Sequence, residues 1–168
     1  ETVVTDSFRI MRYVEEQLEG PPLLTPSAPE ARAQMEQWFS KGNDIDFRLL
    51  TFFTTPKLIA DFMLSKKLKK LHNYAQKYPD LQEAYVAKIA DIEGLKQQKS
   101  SQEEAEALRT KLLATLDEMN ILLANQPFLA GESYSLADAI WTVNFTRMEL
   151  LKKLDWIASR HHVQTYYT

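Results

Sequence analysis

The sequence predicts an all-α fold. Three observations carry this reading. Only four glycines stand in 168 residues, and β-type alternation is scarce. Apolar residues instead recur at three- and four-residue steps over most of the chain. Ser, Thr, Pro and acidic residues sit where such stretches open, as helix starts require. At 45% hydrophobic the chain can bury a core, and a net charge of −3 gives no case for nucleic acid. There is no cysteine, which excludes a disulfide scaffold, a thiolate metal site and a cysteine nucleophile within these residues. No apolar run approaches the ~20 residues of a membrane span.

In chain order, Thr2 to Thr5 is a short β-prone run. Phe8 to Leu18 follows, with Ile10, Met11, Val14 and Leu18 at helical spacing. This reads as the end of a strand turning into a helix. The proline-rich segment 20–29 is a connector and the best internal boundary. Ser27 and Glu30 then form an S-x-x-E capping box, with Pro29 set for an early helical position. Met35, Trp38, Gly42, Ile45, Leu49 and Phe52 make a near-heptad seam, read as one helix packed lengthwise against another. Gly42 allows close backbone approach on that seam.

Thr55 and Pro56 restart the helix as N-cap and first residue, with Leu58, Ile59, Phe62, Leu68 and Leu71 read as facing inward. Pro79 ends it, and Asp80 opens another helix to about residue 98. Ser100 and Ser101 cap the next, whose buried stripe is Ala105, Leu108, Leu112, Leu116, Met119 and Leu123. Ser159 is the candidate cap of a last helix at HHVQTYY. The entry at Glu1 and the stop at Thr168 lead to the expectation that both ends belong to a longer protein.

Between these lies Phe128 to Met148, FLAGESYSLADAIWTVNFTRM. Gly131 breaks the preceding helix. Ser135 opens a new one, with Asp138 three residues on as its capping-box partner and as an anion at the positive end of the helix dipole. Leu136, Ala139, Ile140, Val143, Arg147, Leu150, Leu151 and Leu154 read as its buried stripe. Ser135 and Asp138 also look like a Ser/Asp catalytic pair, but no His joins them and the cap accounts for both.

The string QPFLAGESYSLADAIWTVNF resembles the C-terminal helical domain of the glutathione transferase superfamily. There the same segment caps the central buried helix. TDSFRIMRYVEEQL resembles the last strand and helix of that superfamily's thioredoxin-like domain, through Asp6, Ser7, Ile10, Tyr13, Val14 and Glu15. KYPDLQEAYVAKI (77–89) is similar to the ganglioside-induced differentiation-associated transferase-like proteins and the plant tetrachlorohydroquinone-dehalogenase-like transferases. The resemblance implies an all-α bundle of the glutathione-transferase C-terminal type, preceded by a strand-helix remnant of a thioredoxin-like domain. Its implied boundaries are 1–19 for the remnant, 20–29 for the linker and 30–168 for the helical domain, with residues 56–99 as a longer region between the early helices.

The resemblance also implies that Asp6 and Ser7 hold the γ-glutamyl carboxylate of glutathione, an anion at a helix start. The bare residues alternatively make Ser7 an N-cap. Catalytic residues are expected to be absent, because the superfamily's thiol-activating Tyr, Ser or Cys lies upstream of this stretch. Lys66, Lys67, Lys69 and Lys70 form a candidate surface for an acidic membrane or protein partner, against the reading of a solvated face. His161 and His162 are adjacent and His72 stands alone, so no metal pair is expected. Trp38 and Trp141 are read as core.

Two functions are expected. One is a glutathione transferase-like protein lacking most of its glutathione site here, with glutathione as substrate and no cofactor. The other is a non-catalytic scaffold subunit that engages a protein partner, forms a homodimer through the helical domain, or lies on an organelle membrane. The setting implied is intracellular: cytoplasmic or organelle-associated, the mitochondrion included.

Overall fold

The computed structural model describes residues 4, 6–17, 22–98 and 102–168. The fold is all-α, with no strand among the described residues. The helices are α1 (Ser7–Gln17), α2 (Pro29–Asn43), α3 (Phe47–Thr54), α4 (Lys57–Lys77), α5 (Gln82–Gln98), α6 (Gln102–Leu122), α7 (Leu136–Leu150), α8 (Asp155–Ala158) and α9 (His161–Tyr167), with a 3-10 turn at Pro79–Leu81. The strand expected at 2–5 and the caps expected at 100 and 101 lie outside the described residues, except for Val4.

The helices gather into two compact units, one of residues 1–45 with 111–168 and one of residues 46–110. In the first unit α2 packs along α7. The approach is close at Gly42. A Cβ there would meet Ile140 Cγ2 at 2.8 Å and Trp141 Nε1 at 3.1 Å. With the backbones this near, α7 side chains reach α2 carbonyls. Trp141 Nε1 donates to the Trp38 carbonyl at 2.9 Å, and Asn144 Nδ2 donates to the Gly42 carbonyl at 3.0 Å. The second bond satisfies a carbonyl that the helix end leaves open. Trp38 and Trp141 meet edge to face at 6.2 Å, inside a core that includes Met35, Phe39, Leu116, Phe145 and Met148.

Helix α1 joins this unit by one side. Phe8 stacks on Phe39 at 4.1 Å, Arg12 lies over both rings, and its guanidinium forks onto Glu36. In the second unit α4 and α5 form a helical hairpin turned at Pro79, with Tyr74 against Tyr78 and Tyr85. Leu50, Ala60, Leu64 and Ile92 are buried there.

Several local expectations are corrected. The seam from Met35 to Phe52, read as one helix, is carried by two, because the Asp46 carboxylate accepts from the N–H groups of Arg48 and Leu49 and opens α3. Ala28, not Ser27, precedes α2, which starts on Pro29. The Thr55 hydroxyl donates back to the Thr51 carbonyl at 2.6 Å and so ends α3 rather than capping α4. Leu58, Ile59 and Phe62 are exposed, not inward. Ser159 closes α8, and α9 starts after Arg160, where Asn120 Oδ1 accepts the His162 N–H at 2.9 Å.

The face of α7 is also corrected. Leu136 is buried as expected, but the rest of the buried side is Ala137, Asp138, Trp141, Asn144, Phe145 and Met148, while Val143 and Leu150 are exposed. Apolar residues lie on both sides of this helix, so periodicity cannot choose between them. The polar groups choose: Asp138, Trp141 and Asn144 each have an inward partner, and together they fix the rotation.

The close approach at Gly42 gives a test. Gly42→Ala gains about 1 kcal/mol in helix propensity, yet overpacking against Ile140 and Trp141 costs about 1–3 kcal/mol. A net loss of stability is expected in urea unfolding. A more stable variant would show that α2 and α7 are not in contact here.

Candidate functional site

The start of α7 holds a buried polar constellation. Asp138 is fully buried, and its carboxylate accepts from four donors. Oδ1 takes the Leu129 N–H at 2.8 Å and the Tyr166 hydroxyl at 2.7 Å. Oδ2 takes the Ser135 N–H at 2.7 Å and the Ser135 hydroxyl at 2.6 Å. The loop before it is closed by paired bonds between Phe128 and Gly131, with Gly131 at φ +114°, a conformation that favours glycine. That turn aims the Leu129 N–H at the carboxylate.

Burial first, and then the Asp138 carboxylate, push the Tyr166 hydroxyl well above the usual tyrosine range, so it remains a donor. A Ser and an Asp in this arrangement look like two members of a triad. The imidazole is missing from the set of donors, and the serine spends its proton on the carboxylate. The chemistry is that of a structural anion: it satisfies the Leu129 and Ser135 N–H groups and bolts α9 to α7.

At the other end of this unit's chain, Asp6 is the cap of α1. Its Oδ1 accepts from the Phe8 and Arg9 N–H groups at 3.0 and 3.1 Å. Ser7 is therefore the first helical residue, and it is exposed. The two starts are linked through residues 22–26. Glu15 of α1 accepts the Leu24 and Thr25 N–H groups, and the Leu24 carbonyl accepts the Leu136 N–H of α7 at 3.0 Å.

The second unit carries charge. Arg48, Thr51, Leu64, Lys67, Lys88, Asp91 and Ile92 line a pocket of about 150 Å³. Asp91 pairs with Arg48 at 2.9 Å and with Lys88 at 2.8 Å. The Lys88 hydrogen bond, opposed by burial and reinforced by the Arg48 charge, holds the Asp91 carboxyl below the usual range. Arg48 is raised, first by Asp46. Lys66, Lys67, Lys69 and Lys70 are all exposed on α4. His161 and His162 lie edge to face at 5.3 Å, and no three potential metal ligands cluster among the described residues.

Sequence reasoning located Asp6, Ser7, Ser135, Asp138 and the four lysines but missed Tyr166, the Leu129 N–H, the Leu24 carbonyl and the Arg48–Asp91–Lys88 group. A Tyr 28 positions along the chain from its acid leaves no spacing signal, and a backbone donor leaves none at all.

Asp138→Ala orphans four buried or half-buried donors, and a loss of about 3–5 kcal/mol is expected. Ser135→Ala and Tyr166→Phe each remove one donor and should cost about 1 kcal/mol. Chemical denaturation checks the order. Equal, small effects for all three would refute a shared acceptor.

Three findings compare the chain with known proteins. The family described as "Glutathione S-transferase, C-terminal domain" matches residues 81–154. The chain is 32% identical over 168 residues to the tetrachloro-p-hydroquinone reductive dehalogenase of Sphingobium chlorophenolicum, across 98% of this chain and 65% of that protein. The crystal structure of the beta-etherase LigF from Sphingobium sp. strain SYK-6 superposes with a TM-score of 0.65, at 21% identity, over 99% of this chain and 68% of that one. That likeness shows the fold. The chain thus spans 65% of the length of the curated relative it matches.

Proposed function

We propose that the chain is the helical part of a glutathione transferase-like protein; the match to the glutathione S-transferase C-terminal domain family over residues 81–154 and the 32% identity to the dehalogenase support this reading. The supporting observation is the two-sided character of α1. One side is fastened to α2 through Phe8 and Arg12, while Ile10, Tyr13 and Val14 on the other stand exposed. That stripe suits the sheet of a thioredoxin-like domain, with residues 1–19 as its end, 20–29 as a linker and 30–168 as the helical domain. Asp6 already holds the Phe8 and Arg9 N–H groups, so the exposed Ser7 is the group left to meet the γ-glutamyl carboxylate.

The substrate class proposed is a halogenated aromatic, as in the name of the dehalogenase relative. In such a conjugation the thiolate sulfur bonds to the ring carbon and halide leaves. Thiol activation needs a donor or positive field at the sulfur. No side chain placed around α1 or α7 is proposed to supply it, so residues 1–168 alone are proposed to be inactive. A reducing, intracellular compartment follows from the same proposal, cytoplasmic or organelle-associated.

A second reading is a non-catalytic scaffold that engages a protein partner or a second copy through the helical domain. Ile121, Val143 and Leu150, exposed on the first unit, favour it.

An aryl-halide conjugation assay with calorimetric glutathione titration tests the first reading. Residues 1–168 should show no turnover above background and affinity of about 1 mM or weaker, since one small contact leaves most of the tripeptide in water. Clear turnover, or micromolar binding abolished by Ser7→Ala, would overturn the assignment of roles.

A further inference from the structure

We propose that the outward face of α4 docks on an anionic lipid surface, an inference independent of the glutathione reading. α4 buries Ala60 and Leu64 on one side and half-buries Leu68 and Leu71 there. Helical spacing puts Leu58, Ile59, Phe62 and Met63 on the opposite side, followed along that side by Lys66, Lys69, Lys70 and Lys77. Leu58 is 85% exposed, Phe62 68%, Ile59 53% and Met63 51%. All four lysines are exposed as well.

The face is thus apolar over its first turns and cationic over the rest. Asp61, the one acidic residue of α4, lies off it. Exposed side chains of this size in a contiguous patch mark an interaction surface. The lysines decide the partner's charge. Pairing the face with itself gains no ion pair, because every charge on it is positive, and this disfavours a second copy. A helix side that is apolar at one end and cationic along the rest suits a planar anionic surface, where Leu58 and Phe62 enter the headgroup boundary and the lysine stems reach to anionic headgroups. No helix among the described residues is long and apolar enough to cross a membrane, so the contact is interfacial.

Co-sedimentation with vesicles tests this. One set is phosphatidylcholine alone and the other contains phosphatidylserine. Binding to the anionic set should be stronger by about tenfold or more, and should fall as salt rises. Lys69→Glu with Lys70→Glu should lower it by about tenfold or more, with an unchanged melting curve. If that pair melts early, Lys66→Gln with Lys70→Gln gives the same reading. Phe62→Ser should weaken the binding that survives at high salt. Equal binding to both vesicle sets, or none to either, would overturn the proposal. So would self-association abolished by Phe62→Ser without vesicle binding, or capture of an acidic peptide in preference to anionic vesicles.

Discussion

A carboxylate removed from solvent must have its lone pairs met by donors, and Asp138 is met by four. The helical body of the first unit depends on this. The donors come from the loop before α7, from the cap of α7 and from α9, so one buried carboxylate ties three segments together. One acid therefore sets the entry angle of α7, the shape of the Phe128–Gly131 turn and the seat of the C-terminal helix. Leaving any of these donors unpaired in the interior costs far more than the net worth of one bond.

With its start fixed, α7 can face only one way, and that rotation decides its contact with α2. Trp141 and Asn144 fall opposite the carbonyls of Trp38 and Gly42, and the missing side chain of Gly42 leaves room for them. α1 then joins α2 by a stacked ring pair and a forked ion pair, and Glu15 holds the segment whose Leu24 carbonyl returns to α7. Helix α1 and the start of α7 are thus linked by hydrogen bonds through Glu15 and the Leu24 carbonyl. The surface of α4 is a separate matter, built from exposed side chains outside those links.

Helix existence was legible in the sequence because spacing and start signals agreed over long stretches. Pro79 and the Phe128–Gly131 turn were legible because Pro locks φ and Gly admits the positive φ that a tight turn needs. Helix starts were less so: Ser27, Thr55 and Ser159 have the right chemistry, but Asp46 and Asn120 make the observed caps. A short polar side chain near a helix end has several carbonyls and N–H groups within reach, and local sequence does not rank them. The buried side of α7 was misread because apolar residues cover most of its circumference. Only partners distant in sequence, such as Tyr166 and Gly42, distinguish its two sides. The α4 face was misread for a related reason: apolar spacing says which residues share a side, not whether anything covers it.

The central claim is that Asp138 holds the α7 start as part of the global fold. Native-state hydrogen exchange of the Leu129 and Ser135 amides tests it most directly, because both N–H groups end on this carboxylate. Both amides should exchange only through global unfolding, with the same opening free energy as core amides of α7. Exchange of either at rates typical of an open loop, while the α7 core stays protected, would contradict the account.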